Sequence, residues 1–576
     1  MKISSDQVKS FIVNQDDSVE KLLDVMTRVV TPRLGSGYAI VADGLGQAIG
    51  VVTDADLRKF SLRTGRIPAN INELAHTDFI SIEEGMNESE IVSSLLTQME
   101  LRGWKTVLPV RFVPVLKSRI PVGVIDTDDL QSEISAQRDQ FIVIGLGYVG
   151  LTLALAASAI GIRVVGIDSD SKKIESLISK NSYISEPGID NLLSELVETR
   201  FYPRKSFSEV ERSPGQSWNF ILSVATPLTK DQAMDTSYIK KAVQDLLPHI
   251  QVGDSLILRS TAPIGTTREI SQIVESAFGW VVGRDFYAIS APERTVEGNA
   301  LYELRELPQI VGGVTQQCTA HGIELFQKIS KRLVPVSSAE VSETIKITSN
   351  AFRDYSFGFS NYLAKFAQNY NLDVNEIVDN ANFGYLRNAI PKPSPGVGGP
   401  CLSKDPYLLA LSKGGRTNSP VISARQVNES MTAYVLDHLK ANISELLSLE
   451  IVMLGIAFKG IPETNDIRNS PSMDLVTLFS NEGKRIIGWD AVIDNTKIPA
   501  SLDHETNIKK PQVFLIMTNH DQNIKKLISL IGSNEEKIWI FDPWRLIDNP
   551  KEMLRHTPQG FIYLSLSHSI EVLPNE

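Results

Sequence analysis

The amino-acid sequence predicts an α/β protein with two doubly wound domains, joined by a helical segment and preceded by a smaller α+β domain. Three observations indicate this fold class. A continuous apolar run at residues 140–144 leads into a glycine-rich turn and a helix of small residues, as expected of a strand buried on both faces. From residue 451 onward, apolar runs again alternate with helical segments. The first 138 residues contain one structural pattern twice.

Length and composition are those of an ordinary globular protein. The 576 residues are 42% hydrophobic and 22% charged, which suits three or four domains with ample core. The net charge of −11 argues against a nucleic-acid or anionic-membrane partner. No apolar run is long enough to cross a bilayer, and the N-terminal residues do not resemble a signal peptide. We therefore expect a cytoplasmic protein.

The cysteine and histidine content bears on two further kinds of site. Cys318 and Cys401 are the only cysteines, so we expect no disulfide framework and a reducing compartment. The eight histidines have no metal-ligand spacing, and we predict no metal site.

Residues 1–138 contain a strand–helix–strand–strand order twice. Each half begins with a short apolar run and a periodic helix, and each ends in a β-rich run that leads to an acidic turn. The first turn contains Thr53 and Asp56, and the second contains Asp126 and Asp129. Repeats of this kind bury their faces against each other.

This pattern resembles a tandem CBS-domain pair. The resemblance implies a regulatory domain that binds an adenine nucleotide in the clefts between its halves, with Thr53, Asp56 and Asp129 as ribose and phosphate ligands. Asp126 stands where the family has a hydroxyl residue, and an added carboxylate repels phosphate. The alternative is a packing or oligomerisation module without a ligand.

Residues 139–335 have the pattern of a Rossmann-like domain. The apolar run at residues 140–144 is followed by GLGYVG at residues 145–150, and the next β-branched run ends at Asp168. Glycines at this spacing let a pyrophosphate lie against the N-terminus of the following helix. A carboxylate at the end of the second strand accepts hydrogen bonds from both ribose hydroxyls and repels a 2′-phosphate, which favours NAD over NADP.

Three later strands of this domain end in polar loops, where doubly wound sheets place ligands. The loops contain Thr226, Thr261 and the paired carboxylates Glu293 and Glu297. Any one of them could be an ordinary capped turn between a strand and a helix. Three in succession indicate a site assembled around a nicotinamide.

A long helix is predicted over residues 340–365 within the helical segment 336–440. It carries Lys346 and Asn350 on one face. Such a pair is usually solvated, but its apolar neighbours indicate partial burial, where a lysine and an amide need partners.

The loop GVGGPCLSKDP occupies residues 396–406. Cys401 and Asp405 lie four positions apart in it, which places them on one face if a helix begins at the cysteine. On its own the loop is more simply interpreted as a Gly/Pro turn around a structural thiol.

Residues 441–576 predict a second α/β domain. It lacks GxGxxG, so we expect it to bind something other than a dinucleotide. Lys459 and Arg468 lie in loops after a buried strand, and such cations suit a diphosphate.

Taken in order, these motifs closely resemble those of the UDP-glucose/GDP-mannose dehydrogenase family over residues 140–545. The shared motifs are GLGYVG, Thr226-Pro227, Ser260-Thr261, Pro292-Glu293, Lys346-x-x-x-Asn350, GVGGPCLSKDP, Ala457-Phe458-Lys459 and Arg468-x-Ser470-Pro471. The resulting domain prediction is a CBS pair at 1–138, an NAD-binding Rossmann domain at 139–335, a central helical dimerisation domain with the cysteine loop at 336–440, and a C-terminal UDP-sugar-binding domain at 441–576.

The resemblance implies an NAD-dependent dehydrogenase that oxidises the C6 hydroxyl of a nucleotide sugar twice, with two NAD and one water, for polysaccharide precursor synthesis. Cys401 would add to the intermediate aldehyde as a thiohemiacetal and carry the thioester that water cleaves. A nearby cation or helix N-terminus should then lower the pKa of the thiol. The resemblance also implies at least a homodimer, paired through the central helices.

The resemblance assigns site residues in three groups. The catalytic residues are Cys401; Lys346 and Asn350 for the oxyanion; Asp405 and a water held by Thr261 for the alcohol proton; and Glu293 for the hydrolytic water. The cofactor-binding residues are Gly145, Gly147, Tyr148, Val149, Gly150, Asp168, Lys173, Thr226, Thr261, Glu297 and Arg468. The substrate-binding residues are Glu293, Arg294, Lys346, Asn350, Arg387, Gly398, Gly399, Phe458 and Lys459.

The sugar is predicted to be a UDP-N-acetylhexosamine. Pro292-Glu293-Arg294, the segment at residues 307–313 and Phe352-Arg353-Asp354 resemble that branch of the family. Tyr362 departs from it, and a UDP-glucose 6-dehydrogenase is the alternative within the same class. An alternative from another class is a catalytically idle nucleotide-binding sensor. A two-electron hydroxyacid dehydrogenase is a third, which Cys401 argues against because that chemistry needs no thiol.

Overall fold

The computed structural model describes residues 2–3, 8–27, 37–102, 112–127, 139–213, 216–229, 234–412, 418–531, 536–553 and 560–572. Packing divides the chain into two compact units. The first comprises Met1–Phe141, Gly161–Val164 and Ser208–Asn219, and the second comprises Ile142–Ile160, Val165–Phe207 and Phe220–Glu576. Within the described ranges, no helix is long and apolar enough to cross a membrane.

The first unit contains the duplicated order that the sequence predicts. Its elements are β1 (Lys2–Ile3), β2 (Ile12–Asn14), α1 (Val19–Thr27), β3 (Tyr38–Ala42), β4 (Ala48–Thr53), α2 (Asp54–Thr64), β5 (Ile82–Glu83), α3 (Glu88–Leu101), β6 (Phe112–Lys117) and β7 (Ile120–Asp126). In each copy the first and second strands pair in parallel, and the second and third pair antiparallel. β1 pairs antiparallel with β7.

The two copies share a hydrophobic core. One cluster joins Phe11 and Tyr38 of the first copy to Phe112 and Val124 of the second. The ring centroids of Tyr38 and Phe112 lie 5.7 Å apart. Large aromatic side chains bury much apolar area, so this contact accounts for the packing of the two copies against each other.

The elements that follow are β8 (Asp139–Ile144), α4 (Tyr148–Ala159), β9 (Val164–Ile167), α5 (Ser171–Ile178), α6 (Ile189–Leu196), β10 (Phe201–Arg204), β11 (Ser217–Leu222), α7 (Ser237–Leu246), β12 (Ser255–Leu258), α8 (Thr266–Phe278), β13 (Tyr287–Ser290), α9 (Ala300–Glu306), β14 (Gln309–Gly313), α10 (Gln316–Phe326) and β15 (Leu333–Pro335). Their strands form an eight-stranded sheet in the order β10-β9-β8-β11-β12-β13-β14-β15. The C-terminal residues of β8, β9 and β11 belong to the second unit. β13 and β14 pair antiparallel, so the sheet is mixed rather than wholly parallel.

A helical segment follows this sheet. Its helices are α11 (Ala339–Gln368), α12 (Val374–Asn382), α13 (Asp405–Ala410), α14 (Pro420–Glu429) and α15 (Met431–Asn442). The long helix α11 starts where the Ser338 hydroxyl accepts a hydrogen bond from the Val341 amide, a normal N-cap. It has no internal proline and extends slightly beyond the predicted range at both ends.

The C-terminal sheet has six strands in the order β17-β16-β18-β19-β20-β21. Alternate residues of β16 pack into two different hydrophobic clusters, so both faces of this strand are covered, as in a doubly wound sheet. Among the described strand pairs of this sheet, β20–β21 is antiparallel and the others are parallel. The elements are β16 (Glu450–Leu454), α16 (Pro471–Asn481), β17 (Ile487–Trp489), β18 (Pro511–Ile516), α17 (Asp521–Ile531), β19 (Ile538–Phe541), α18 (Pro550–Met553), β20 (Phe561–Leu564) and β21 (Ser569–Val572).

Candidate active site

The glycine loop between β8 and α4 has the form of a dinucleotide cradle. Gly145 has φ +91°, and a Cβ there would lie 2.7 Å from the Ser223 carbonyl oxygen. A Cβ on Gly150 would lie 1.9 Å from the Gly145 oxygen, whereas one on Gly147 would meet no atom within 4 Å. The outer glycines are therefore required by packing, and the middle one leaves an open approach to the N-terminus of α4, where amides favour anions. The loop fits the pyrophosphate of NAD.

Asp168 lies next to this loop, at the end of β9. Its Oδ2 accepts a hydrogen bond from the Leu146 amide at 2.9 Å and pairs with Lys173 Nζ at 3.2 Å. Its Oδ1 accepts from the Asp170 amide at 2.9 Å. The carboxylate thus orders the loop in addition to standing where a ribose ligand is expected.

Tyr148 connects the glycine loop to the loop after β13. Its hydroxyl donates to Glu186 Oε2. The Gly298 amide donates to that same oxygen at 2.8 Å and to the Tyr148 hydroxyl at 3.0 Å. Val149 lies in the first turn of α4 beside it. Glu186, which the sequence did not single out, therefore fixes the end of the 293–298 loop against the cofactor cradle.

Cys401 lies in a turn that precedes α13. Its carbonyl accepts hydrogen bonds from the amides of Lys404 at 3.1 Å and Asp405 at 3.0 Å. The helix begins only at Asp405, so the expected placement of both residues on one helical face is replaced by a turn that leads into the helix. The cysteine itself is exposed, whereas Asp405 is fully buried.

Asp405 meets the Lys346–Asn350 face of α11 and is the partner of the Asn350 amide. Asn350 Nδ2 donates to Asp405 Oδ2 at 2.6 Å. Lys346 and Asn350 are each 7% exposed. Burial raises the pKa of Asp405, and the positive charges of Lys346 and Lys404 act against that rise. Lys346, Asn350 and Asp405 thus supply a cation, an amide donor and a carboxyl beside the thiol.

The thiol of Cys401 differs from expectation in the direction of its pKa. Although the residue is exposed, nearby protein atoms desolvate the thiolate and raise the pKa of the thiol above its ordinary value, against the lowering effect of the Lys346 ammonium. The predicted cation is therefore present, but desolvation of the thiolate outweighs it.

Glu293 is enclosed by donors. Its Oε2 accepts from Arg259, and its Oε1 accepts from the amides of Arg294 at 2.6 Å and Thr295 at 2.7 Å. Burial alone would raise the pKa of Glu293, but the Arg259 guanidinium and these amides hold it below its ordinary value. Such a carboxylate orders its loop more readily than it accepts a proton.

Glu297 joins the 293–298 loop to the C-terminal domain. Its carbonyl accepts from Lys459 Nζ at 2.7 Å, and its Oε2 accepts from the Thr464 hydroxyl at 3.1 Å. Arg468 lies 3.7 Å from its Oε1 and pairs mainly with Asp466. Burial raises the pKa of Glu297 and lowers that of Lys459.

Gly398 and Gly399 make room for the protein's own C-terminal domain. A Cβ on Gly398 would lie 2.1 Å from the Asn469 carbonyl oxygen. Gly399 has φ +87°, and a Cβ there would lie 2.7 Å from the Phe458 ring. The two glycines therefore allow the cysteine loop to pack on the loops that follow β16, which contain Phe458 and Lys459.

Several predicted residues have other contacts. Thr226 accepts from Lys404 Nζ through its carbonyl and its hydroxyl, both at 3.0 Å. Thr261 is partly buried in the loop after β12. Arg294 is exposed and donates to the Pro308 carbonyl at 3.4 Å. Arg387 is exposed, with its guanidinium 4.9 Å from the Tyr385 ring, and the structure does not bring it to the cysteine loop.

Thr53 and Asp56, which were predicted to bind a nucleotide, form the N-terminal cap of α2. Thr53 caps α2, where its amide donates to Asp56 Oδ2 at 2.8 Å and its hydroxyl donates to the same oxygen at 2.5 Å. His76 Nε2 lies 2.7 Å from Asp56 Oδ1. Asp129 lies outside the described residues. In the described ranges, no group of three or more His, Cys, Asp or Glu side chains could hold a metal ion.

Sequence reasoning assigned no role to four residues that organise the site: Glu186, Arg259, Lys404 and Arg425. Their partners are distant in the chain, so no local motif marks the contacts. One weak signal was present for Arg259, an arginine directly at the end of the apolar run of β12.

Comparison with known proteins identifies the family. Residues 139–330 match the NAD binding domain of the UDP-glucose/GDP-mannose dehydrogenase family, residues 340–430 its central domain and residues 452–549 its UDP binding domain. Residues 1–138 lie outside these matches.

The chain is similar to several characterised relatives. The UDP-N-acetyl-D-mannosamine dehydrogenase of Pyrococcus horikoshii is 33% identical over 426 residues, covering 73% of this chain and 97% of that protein. The NDP-N-acetyl-D-galactosaminuronic acid dehydrogenase of Ralstonia solanacearum is 28% identical over 400 residues, covering 67% and 91%. A solved structure of the UDP-D-ManNAc dehydrogenase from Pyrococcus horikoshii matches with a TM-score of 0.64 and 31% identity, covering 74% and 99%. The resemblance predicted for residues 140–545 and the predicted cofactor are confirmed, whereas no match supports the CBS resemblance of residues 1–138: the chain belongs to the UDP-glucose/GDP-mannose dehydrogenase family of NAD-dependent oxidoreductases.

Proposed function

We propose that this enzyme oxidises the C6 hydroxyl of a UDP-N-acetylhexosamine to the carboxylate, with UDP-N-acetylmannosamine as the first candidate. The observation that carries the proposal is the exposed Cys401 beside the buried Asn350–Asp405 pair and Lys346. The names of the relatives in Pyrococcus and Ralstonia, both acting on N-acetylated sugars, support the choice of sugar.

The proposed chemistry proceeds in three stages: oxidation of the alcohol, oxidation of the aldehyde as its cysteine adduct, and hydrolysis of the thioester. NAD, when bound, supplies the hydride acceptor for each oxidation. The alcohol first loses a hydride and a proton to become the aldehyde. The Cys401 thiol adds to the aldehyde, its sulfur to the carbon and its proton to the oxygen, and the resulting thiohemiacetal loses a second hydride and proton to give a thioester. Water then breaks the carbon–sulfur bond, which releases the carboxylate and one proton and returns the thiol.

The residues around Cys401 are suited to the charges that develop. The Lys346 ammonium and the Asn350 amide can stabilise an oxyanion formed at C6. Burial raises the pKa of Asp405, so its carboxylate is a better base for the alcohol proton than an exposed aspartate would be. We assign Glu293 the role of ordering the 293–298 loop, since both its oxygens already accept hydrogen bonds. This assignment replaces the expected role in activating the hydrolytic water.

The UDP group is proposed to bind against the C-terminal domain near Lys459. Lys459 is half-buried, which lowers the pKa of its ammonium, and a partly desolvated cation gains from an anion beside it. Phe458 lies beneath the ammonium, with the nitrogen 5.6 Å from the ring centroid.

We propose that the enzyme is a homodimer or a larger homo-oligomer that pairs along α11. Five aromatic residues on this helix are at least 42% exposed. Their spacing of three or four residues forms an apolar stripe, and soluble proteins rarely leave such a stripe in water. The residues are Phe352, Tyr355, Phe359, Tyr362 and Phe366.

Residues 1–138 are proposed to be a CBS pair that modulates activity by binding an adenine nucleotide. The duplicated strand order and the shared core support the comparison. Both carboxylate oxygens of Asp56 already have hydrogen-bond partners, Thr53 and His76, so a nucleotide would have to share or replace those hydrogen bonds. Calorimetry of the whole chain with ATP, AMP and NAD at fixed sugar concentration tests this. Absence of any heat or rate change with ATP and AMP would leave a packing role.

The choice of substrate is tested by steady-state rates with UDP-N-acetylmannosamine, UDP-N-acetylglucosamine and UDP-glucose at equal NAD. We expect kcat/KM to be higher for an N-acetylated sugar. A clear preference for UDP-glucose contradicts the sugar assignment, and no NADH with any of the three contradicts the proposed function.

A further inference from the structure

Arg425 holds the cysteine loop at two points. It lies on α14 and is 2% exposed. Its Nη1 donates to the Leu402 carbonyl at 3.1 Å, and its Nη2 donates to the Val397 carbonyl at 3.0 Å. These two carbonyls flank the segment 398–401, which ends in Cys401. One guanidinium therefore fixes the distance between the two ends of the reactive loop.

The guanidinium is itself anchored to the long helix α11. Its Nη1 donates to Asp354 Oδ1 at 2.7 Å, and Asp354 is fully buried. Asn428 Nδ2 donates to the same carboxylate at 2.8 Å and to the Asp354 carbonyl at 2.9 Å. Burial raises the pKa of Asp354 to about 6, and the charge of Arg425 opposes that rise. The pair is thus ionised at neutral pH.

A second contact ties the start of the loop to the same helix. Asn361 Nδ2 donates to Asn428 Oδ1 at 2.9 Å, and Asn361 Oδ1 accepts from the Ser394 amide at 2.8 Å. The cysteine loop is therefore connected to α11 at Ser394, through Asn361, and at Val397 and Leu402, through Arg425.

The register of α11 connects this anchor to the reacting groups. Lys346, Asn350 and Asp354 follow one another at intervals of four residues, so they share one face of the helix. The first two lie beside Asp405, and the third holds Arg425. A single rigid helix thus sets the position of the carboxyl, its amide partner and the cysteine loop relative to each other.

A stabilising role alone does not account for a buried Arg–Asp pair. Desolvating two charges costs several kcal/mol, and well-packed apolar residues in their place often leave stability unchanged or higher. Only the planar guanidinium presents donors that reach a carboxylate and two carbonyls together. Lysine has the same charge but cannot span the three acceptors.

We propose that Arg425 is a positioning residue for Cys401, which keeps the thiol in place beside Asn350 and Asp405. This inference rests on the proposed function for its catalytic consequence. Oxidation of the aldehyde passes through the sulfur, whereas oxidation of the alcohol does not. Loss of the two hydrogen bonds from Arg425 to the loop carbonyls therefore impairs the second oxidation more than the first.

The first test is Arg425→Lys, with Arg284→Lys as the matched control at an exposed site. We expect kcat for uronate formation to fall about 10–100-fold, as a displacement of about 1 Å can cost, with the KM for the sugar little changed. Free aldehyde, trapped as a hydrazone, should accumulate, so that NADH exceeds two per uronate.

A thiol readout separates positioning from general loss of structure. The Cys401 and Cys318 peptides are followed by mass spectrometry during iodoacetamide treatment without substrate. Packing around Cys401 raises its thiol pKa, so a released loop should lower that pKa and speed alkylation by about 3-fold or more. Cys318 is fully buried and should stay protected as long as the fold is intact.

Asp354→Asn is the second variant, since it keeps Arg425 and its pairing with Glu429 at 3.2 Å but removes the charge of the buried carboxylate. We expect the same changes at smaller amplitude. Unchanged Cys401 alkylation and unchanged aldehyde release in both variants overturn the proposal. Rapid alkylation of both cysteines in both variants also overturns it, because Arg425 then only stabilises the fold. If wild-type enzyme makes no uronate, the proposed function fails, but the alkylation comparison still decides whether Arg425 positions the thiol.

Discussion

Replacement of Arg259 by methionine should destabilise the dinucleotide-binding domain, because it leaves a buried carboxylate without its cation. The side chains of Arg259 and Glu293 are 0% and 9% exposed. The guanidinium also donates to the Ala291 carbonyl at 2.9 Å and to Gln309 Oε1 at 2.8 Å. Removal of one partner from a buried ion pair costs about 3–5 kcal/mol. We therefore expect Arg259→Met to lose at least about 3 kcal/mol.

Thermal unfolding followed by differential scanning fluorimetry measures this loss. In a domain of about 200 residues, 1 kcal/mol shifts the Tm by roughly 2–4 °C, so we expect a decrease of roughly 6–12 °C. The matched control is Arg284→Met, which removes a 69% exposed side chain paired with Asp285. Exposed ion pairs contribute about 0–1 kcal/mol, so the control should melt within roughly 4 °C of wild type.

The double variant Arg259→Met/Glu293→Gln identifies the buried charge as the cause. Because glutamine removes the uncompensated charge, the double variant should melt at a higher temperature than Arg259→Met alone. In wild type, the pKa of Glu293 lies below its ordinary value in the folded state. The stabilisation that the ionised Glu293 contributes is therefore present above about pH 4.5 and is lost as the pH falls through the folded pKa. A decrease no larger than that of Arg284→Met, or a double variant that melts lower still, would refute the reasoning.

Two further predictions concern the cysteine loop. Lys404→Met removes two charge-assisted hydrogen bonds to Thr226. In steady-state assays, kcat/KM for NAD should therefore fall by about 10-fold or more. An unchanged kcat/KM contradicts this link between the loop and the cofactor domain. Because burial raises the pKa of the Cys401 thiol, its alkylation rate should still be rising at pH 9, and Lys346→Met should shift the profile to higher pH. A plateau reached below pH 8 contradicts the assigned cause.

The parts of the fold with a local pattern were predictable. The glycine loop, Asp168 and the long helix α11 lie where the sequence indicates, because strand, turn and helix signals occur within a few neighbouring residues. Strand direction was not readable, since an apolar run is the same in both directions. The antiparallel β13–β14 pair is a feature that the sequence pattern did not indicate.

The site was predictable in its reacting groups and not in its supports. The family motifs point to Cys401, Lys346 and Asp405, but a buried arginine looks like a surface arginine in a sequence. The Arg259–Glu293 and Arg425–Asp354 contacts join residues 34 and 71 positions apart, beyond any helical or strand period. The direction of the Cys401 pKa was mispredicted for a related reason, because burial depends on the surrounding fold rather than on neighbouring residues.

The central claim is that Cys401 turns one oxidation into two. Cys401→Ser tests it most directly, with NADH, aldehyde and uronate measured together from UDP-N-acetylmannosamine. Wild type should give two NADH per uronate. In the variant, the alcohol can still lose its first hydride, but a hydroxyl is a far weaker nucleophile than a thiolate, so uronate formation should fall at least about 100-fold while aldehyde is released. Uronate formation by Cys401→Ser at the wild-type rate would contradict the account.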